Sequence, residues 1–200
     1  MRLIAGLIVL LTCAACTIGG TQPQGPATEA PATAPAPQTT EAASPAPTEL
    51  PVLASRTTSY DGVAAEIAVN QVISTGGVTT VTWTLTNKTD RPIVLARAAS
   101  GGVFSDGQQA TIPGSNEFVP DDSTAADGAY LIDAVNKQRY LPARDSQGAC
   151  VCSMLKHYTQ LEAGNSMMFS ATFKAVPAGV DTVGVFIPGA GTFTDVPVQR

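Results

Sequence analysis

The chain has 200 residues, of which 11 are Lys or Arg and 16 are Asp or Glu, so its formal net charge at pH 7 is −5. The basic residues form no run, and we therefore do not expect nucleic acid as a partner. A single histidine, without a recognisable nucleophile context, gives no triad pattern. The sequence accordingly predicts a non-catalytic protein without a cofactor.

The N-terminus has the composition of a bacterial export signal with a site for a lipid. Arg2 supplies a positive charge, and residues 3–11 form an apolar run too short to cross a hydrocarbon core about 30 Å thick. The sequence Thr-Cys-Ala-Ala-Cys, which ends at Cys16, resembles a lipobox, in which small residues precede a cysteine that is lipidated and becomes the mature N-terminus. The resemblance implies a lipoprotein signal peptide over residues 1–15, a lipid on Cys16, and an anchor at the extracytoplasmic face of the cell membrane.

Two alternatives stay open for this end of the chain. Cys13 lies where leucine is usual in a lipobox and is a rival position for the lipid, although Thr12 before it fits the pattern poorly. The other alternative is an ordinary secretory signal that is cleaved nearby and leaves no lipid. Each of these interpretations places the domain outside the cytoplasm, where disulfides persist.

Residues 16–50 form the lipidated N-terminus and a linker made largely of Pro, Ala, Thr, Gln and Gly. Because this segment has almost no large apolar side chain to bury, it cannot offset the entropy of ordering, and we expect it to be disordered or partly polyproline. As a coil of about 34 residues it spans roughly 30–35 Å. We interpret it as a tether that holds the predicted folded domain, residues 51–200, away from the membrane.

The strongest signal in the predicted domain is the alternation around Trp83, the only tryptophan of the chain. Val81, Trp83 and Leu85 fall on one side of an extended segment, and threonines fall on the other. This period of two is typical of a half-buried strand, and an indole suits the core between two sheets. A turn cluster follows and Ile93 resumes the apolar run, so we predict that the two segments form the central hairpin of the domain.

Further strands are predicted on both sides of this hairpin. Alternation over residues 65–69 defines the inner face of a preceding strand, with a bulge near Asn70. Phe169 and Phe173 lie on the inner face of a later strand and join the predicted core. The other candidates are residues 103–104, 117–119, 128–133, 138–141, 183–187 and 193–198. Short strands separated by turn residues predict an all-β antiparallel sandwich.

The order of several short motifs resembles a group of bacterial domains. Residues 84–93 are similar to the strand–turn–strand of many immunoglobulin-like ectodomains. The segments 139–145, 150–153, 161–166 and 183–189 are similar to those of secreted or lipid-anchored actinobacterial domains, some of which precede an OmpA-like peptidoglycan-binding domain. The resemblance covers most of residues 63–198. It implies an immunoglobulin-like sandwich at the cell envelope and no established reaction.

Cys150 and Cys152 are the most specific local feature of the chain. In an extended segment, side chains two residues apart point to the same face, with Cα atoms near the upper limit for a disulfide. A bend at Gly148 brings them within range, so we predict a disulfide between them. The ring is so small that loop-closure entropy gives only about 1.5–2 kcal/mol. The bond is therefore expected to shape one loop rather than to hold the domain together.

An alternative for the same region is a soft-metal site formed by Cys150, Cys152, Met154 and His157, which lie within eight residues. Thiolate and thioether ligands suit Cu(I), and zinc is the other candidate. The competing interpretation has Met154 packed under the loop and His157 at the surface. The leading functional prediction is a lipid-anchored domain that binds a protein or cell-wall partner, and the alternative is an extracytoplasmic metal or redox module centred on the two cysteines.

Overall fold

Short antiparallel β-strands make up the folded part of the chain. The computed structural model describes residues 50–60, 62–97, 101–108, 111–118 and 122–200, which belong to one compact unit, Pro47–Arg200. The strands are β1 (Ala54–Tyr60), β2 (Val63–Thr75), β3 (Val78–Asn87), β4 (Ile93–Val94), β5 (Ala96–Arg97), β6 (Gly101–Gly102), β7 (Tyr130–Asp133), β8 (Gln138–Tyr140), β9 (Gln160–Leu161), β10 (Ser166–Lys174), β11 (Thr182–Ile187) and β12 (Gly191–Pro197).

The prediction of an all-β protein is confirmed. The helical structure in the described ranges is one 3₁₀ turn, Asp122–Thr124. Within these ranges no helix has the length and apolar character needed to cross a membrane. The predicted signal peptide, both candidate lipid positions (Cys13 and Cys16) and nearly all of the linker lie outside the described residues.

The first sheet has the strand order β1-β2-β3-β10, and neighbouring strands are antiparallel. In β3, Trp83 lies opposite Val69 of β2 and Phe169 of β10, so the predicted alternation places all three on the inner face. The predicted bulge is present, because the β2–β3 register shifts between Val69 and Gln71. Gly76, which has a positive φ of 60°, closes the turn between β2 and β3.

The second sheet has the order β12-β11-β7-β8. β7 and β8 form the predicted hairpin, with Leu131 opposite Tyr140. Asp133 is fully buried and shapes the turn, because its carboxylate accepts hydrogen bonds from the backbone N–H (2.9 Å) and the side-chain amide (2.8 Å) of Asn136. The Tyr140 hydroxyl donates to the same carboxylate at 3.3 Å.

One hydrophobic cluster joins the inner faces of the two sheets. The five residues predicted for the core belong to it, and each is at most 2% exposed: Val81, Trp83, Leu85, Phe169 and Phe173. The second sheet contributes residues such as Leu131, Val185 and Ile187. Phe104 lies between the aromatic side chains of the first sheet, with its ring centroid 5.6 Å from that of Trp83 and 4.6 Å from that of Phe169.

Three predicted strand features differ from the structure, and one strand was not predicted. Ile93 does not return along β3 in a hairpin; it lies opposite Leu161 of β9, while β10 occupies the place beside β3. Strand β1 was not predicted, because its sequence is largely polar and hides the alternation.

The candidate at residues 103–104 is a turn, and the fully buried Phe104 lies just after β6. At the candidate over residues 117–119, Phe118 forms only an isolated bridge with Thr111, and residue 119 lies outside the described ranges.

The side chains of β1 tie the edge of the first sheet to the β11–β12 turn. Arg56 donates hydrogen bonds to the carbonyls of Ala190 and Thr192, and Thr58 donates to the carbonyl of Gly189. The Tyr60 hydroxyl donates to the carbonyl of Pro188 at 2.7 Å. These side chain–backbone bonds join the edge strand of the first sheet to the β11–β12 turn of the second.

Candidate functional site

The predicted disulfide is present between Cys150 and Cys152, with the Cα atoms 5.3 Å apart. Gly148 has a φ of 86° and provides the expected bend just before the pair. The side chain of Asp145 closes the same turn by accepting hydrogen bonds from the backbone N–H groups of Gln147 and Ala149. The disulfide is therefore favoured by features of the local sequence, namely this turn and the spacing of the two cysteines.

The disulfide loop covers the outer edge of β10. Thr172 of β10 donates its N–H to the carbonyl of Val151 and accepts from the N–H of Ala143. Ser153 donates its N–H to the carbonyl of Ser170, and Cys152 lies opposite Ala171. Cys150 is only 8% exposed and Cys152 packs against the core. The disulfide thus faces inward, and the loop pairs with a strand edge that would otherwise be open.

A partly buried ion pair fixes the same loop to the rest of the domain. The Arg144 guanidinium donates to the carboxylate of Asp127 at 2.8 Å and to the carbonyl of Gly148 at 2.9 Å. The Asp127 side chain is only 1% exposed and also accepts a hydrogen bond from the N–H of Asp106. This pair was not predicted, because the two residues are 17 positions apart and no local pattern relates them.

The residues of the proposed soft-metal site are arranged differently from a ligand set. Both cysteine sulfur atoms are bonded to each other, whereas metal ligation requires free thiolates. Met154 is 45% exposed and pairs with Ala125, and His157 is exposed. Across the described ranges, no three or more His, Cys, Asp or Glu side chains are grouped so that they could hold a metal ion. A metal site here would require reduction of the disulfide first.

The outer face of the first sheet carries two adjacent grooves. One has a volume of about 650 Å³ and the other about 590 Å³. Leu50 and Met168 line both grooves, and so they lie where the grooves meet. The other lining residues of the first groove are Gln71, Thr80, Thr82, Ser153, Phe169 and Ser170, and those of the second are Val52, Glu66, Ala68, Asn70, Thr84, Thr86, Lys88 and Ser166.

Asn70 determines how the chain enters this face. It is only 3% exposed, its side-chain amide donates to the carbonyl of Pro51 at 2.9 Å, and its side-chain oxygen accepts from the hydroxyl of Thr84 at 2.8 Å. Asn70 lies at the bulge of β2, where the β2–β3 register shifts. Its hydrogen bond to the carbonyl of Pro51 holds the chain before β1 on the outer face. Leu50 is thereby placed on the surface of the grooves.

The grooves have a mixed surface that exposes more apolar than polar area and carries one pair of opposite charges. Hydroxyl groups from alternate positions of β3 and β10 line them, together with the exposed thioether of Met168. The charged residues that line them, Glu66 and Lys88, form an ion pair at 2.7 Å. Such a surface offers hydrogen-bond donors and acceptors beside apolar atoms.

The outer face of the second sheet has a different character. Tyr130 and Phe186 stack with centroids 4.3 Å apart and planes 13° apart, and Arg139 lies 5.0 Å from the centroid of the Tyr130 ring. Tyr130 is thus stacked on Phe186 and also in cation–π contact with Arg139. A smaller groove of about 230 Å³ lies beside this stack, lined in part by Gly184.

The outward-facing threonines of β3 were predicted from the sequence, but the grooves were not. The signal for the threonines was their alternation with the core residues, which any solvated strand face also shows. The grooves depend on Leu50 and Met168, which come from distant parts of the chain and meet only in the folded domain. No family model, curated protein or solved structure matches this chain.

Proposed function

We propose that this protein is a lipoprotein of the cell envelope, in which a lipid on Cys16 and a flexible linker hold a non-catalytic immunoglobulin-like domain at the extracytoplasmic face of the membrane. The domain binds a protein or cell-wall partner. Its binding surface is the outer face of the β2-β3-β10 sheet, with the two grooves that meet at Leu50 and Met168.

The strand order supports the immunoglobulin-like assignment. In the first sheet β2, β3 and β10 are consecutive neighbours, and in the second sheet the order is β12-β11-β7-β8. These orders correspond to strands A-B-E and G-F-C-C′ of an immunoglobulin-like sandwich, with β1 as an additional edge strand. The chain passes from one sheet to the other after β3, β8 and β10, as that topology requires. Trp83 lies on strand B rather than strand C, and the disulfide does not join the two sheets, so these two hallmarks of antibody domains differ here.

The observation that carries the binding function is the open hydroxyl-lined face with its two grooves of about 650 and 590 Å³. The inner face of the same sheet is fully used by the core, and the β1 edge is tied to the β11–β12 turn. Threonine side chains at alternate positions hold their hydroxyls on a rigid strand, so little conformational entropy is lost when a ligand binds them.

The test is capture of an envelope partner by the full-length protein and by two arginine variants. Thr82→Arg places a long charged side chain in the groove at the centre of β3, and Gln138→Arg places the same side chain on the exposed strand β8 of the other sheet. We expect Thr82→Arg to lose the partner and Gln138→Arg to retain it, with both variants unfolding at the same urea concentration as the native protein. Equal capture by both variants would show that the groove face is not the binding surface.

A further inference from the structure

One row of side chains crosses the outer face of the second sheet from edge to edge. The antiparallel register sets Gly184 of β11 opposite Ile132 of β7, and Ile132 opposite Arg139 of β8. The β11–β12 register shifts at Gly184, and Asp195, with a φ of 55°, lies at this bulge and lines the same groove as Gly184 and Ile132. Each strand therefore contributes one member of the row, in the order Asp195, Gly184, Ile132 and Arg139.

Arg139 and Asp195 give this face opposite charges at its two edges. They are the charged residues among the outward-facing positions of the four strands, and both are exposed. Neither forms an ion pair within the described ranges. Three strand spacings of about 4.8 Å separate them by roughly 14 Å. The face thus carries one positive and one negative charge at equal distances from its midline, which runs between β11 and β7.

The middle of the face combines large and small side chains. Tyr130 and Phe186 lie directly opposite each other in the next row, and their stacked rings form an apolar ridge. In the charged row, Ile132 raises the β7 side of the midline, whereas Gly184 leaves a notch on the β11 side. A Cβ atom at position 184 would lie only 3.2 Å from the Cβ of Ile132, so the packing of the two strands favours glycine there.

This arrangement is complementary to itself under a two-fold axis that lies between two such faces and runs parallel to the strands. Rotation about that axis keeps each row level and exchanges its edges, so β7 of one copy lies over β11 of the other. Arg139 of each copy then faces Asp195 of the other. Ile132 of each copy faces the notch at Gly184, and the aromatic pairs face each other. Two sheets can pack in this way, about 10 Å apart and with nearly aligned strands.

We propose that the outer face of the second sheet binds a second copy of this chain, as a symmetric dimer with its two-fold axis parallel to the strands. The aromatic and aliphatic side chains at the midline supply apolar contact area, and aromatic residues and arginine are enriched at such interfaces. The two Arg139–Asp195 pairs between the copies fix the register and disfavour other orientations. The proposal is independent of the proposed partner-binding grooves, which lie on the other sheet.

The size of the face predicts a weak dimer. Four strands about 4.8 Å apart, each about six residues long, give a face of roughly 19 by 20 Å. This is less than the roughly 800 Å² that each partner buries in an interface of standard size. We therefore expect reversible association, and the experiment uses covalent capture.

The experiment places the photo-crosslinker p-benzoylphenylalanine at position 192 of the full-length protein in cells that express it. Position 192 lies on β12 opposite Phe186, so the proposed axis brings it over β8 of the second copy. We expect a covalent dimer of two full chains, whose crosslink maps by mass spectrometry to β8 or the residue after it. The same crosslinker at position 82, on the first sheet, should give no such dimer. Absence of a dimer at position 192, or a crosslink to another segment or another protein, would overturn the proposal.

Charge reversal tests the pairing between copies. Arg139→Asp and Asp195→Arg should each reduce the covalent dimer about tenfold, because each sets two like charges against each other. Both changes in one chain should restore the dimer, and so should mixing the two single variants. Lys174→Asp makes the same charge change as Arg139→Asp at an exposed position of β10 and should have no effect. A double variant that stays as low as the single variants would contradict the proposed axis.

Two further variants separate this proposal from effects on folding and from the groove proposal. Asp195→Asn removes a charge without reversing it and keeps a residue that tolerates a left-handed backbone, so it should reduce the dimer only about threefold. Urea melts should give each variant the same midpoint as the native protein. The groove variant Thr82→Arg should leave the dimer unchanged, whereas loss of the dimer in Thr82→Arg would place the contact on the wrong sheet.

Discussion

Trp83 and Phe169 lie face to face across the β3–β10 pair, with ring centroids 5.9 Å apart and planes 18° apart. Both side chains are at most 2% exposed. Phe104 adds an edge contact to each ring, so a loop residue closes the aromatic cluster that the two strands begin. The central strand and its neighbour are therefore joined by side-chain packing as well as by the backbone ladder.

We predict that Trp83→Ala lowers the free energy of unfolding by about 3–5 kcal/mol, because it removes a large aromatic from a packed interior. Trp83→Phe should cost considerably less. Among the described residues the indole N–H has no hydrogen-bond acceptor, so its removal eliminates a buried unpaired donor and partly offsets the lost packing. Urea melts of the three proteins measure the difference. A loss below about 1 kcal/mol for Trp83→Ala would contradict the placement of Trp83 in the core.

The sequence was sufficient for the strands with a clear alternation of side chains. Trp83 and its neighbours on β3, and Phe169 and Phe173 on β10, are where the period of two places them. Strand β1 was missed because its stability comes from contacts made by polar side chains, such as that of Arg56 to the β11–β12 turn. Those contacts span more than 130 residues, and no local pattern contains them.

The incorrect hairpin after β3 has a specific physical cause. Asn87, at the end of β3, is fully buried and donates its side-chain amide to the carbonyls of Arg91 and Leu161. These bonds fix the turn against β9 and direct Ile93 away from β3. From the sequence, Asn87 has the character of an ordinary turn residue, and its distant partner is not visible. The disulfide was predictable from spacing, whereas its pairing with the edge of β10 was not, because that depends on the tertiary position of the loop.

Asp133 is expected to make stability depend on pH in the acid range. Burial of its carboxylate raises the pKa, but hydrogen bonds from Asn136, Tyr140 and the backbone of Val135 outweigh burial and hold the pKa below its usual value. Because the pKa is lower in the folded state, the ionised carboxylate stabilises the fold at pH values above the unfolded-state pKa of about 3.9. This stabilisation is lost as the pH falls through the folded-state pKa.

Asp133→Asn should therefore be most destabilising near neutral pH, and its difference from the native protein should shrink below about pH 4. Urea melts between pH 3 and 7 provide the measurement. Asp181→Asn is the control, because the Asp181 side chain is 91% exposed and its 3.7 Å ion pair with Arg200 contributes little. An equally large and pH-independent loss in Asp133→Asn would mean that only the shape of the turn matters.

The proposed anchor is testable without reference to the folded domain. If Cys16 carries the lipid, Cys16→Ser should leave an unprocessed precursor or release the protein from membranes. Partitioning into a detergent phase, together with the intact mass of the mature protein, distinguishes these results. Unchanged partitioning of Cys16→Ser combined with its loss in Cys13→Ser would assign the lipid to Cys13 instead.

The last prediction concerns the contribution of the disulfide to stability. Cys150 and Cys152 close a very short ring, and the loop that contains them is already held by hydrogen bonds from Thr172 and Ser153 and by the Arg144–Asp127 ion pair. The double change Cys150→Ser with Cys152→Ser should therefore lower the free energy of unfolding by about 2 kcal/mol or less. Arg144→Ala should cost more, since it removes the guanidinium that donates a hydrogen bond to the buried carboxylate of Asp127. Urea melts of the two variants, with intact-mass analysis to verify one disulfide in the native protein, compare these contributions directly.

The double cysteine variant could instead lose more free energy of unfolding than Arg144→Ala. The disulfide, rather than the ion pair and the backbone hydrogen bonds, would then be what holds the loop against the edge of β10. Two free thiols with stoichiometric copper or zinc in the native protein would instead favour the metal-binding alternative, and His157→Ala and Met154→Ala would then weaken metal affinity.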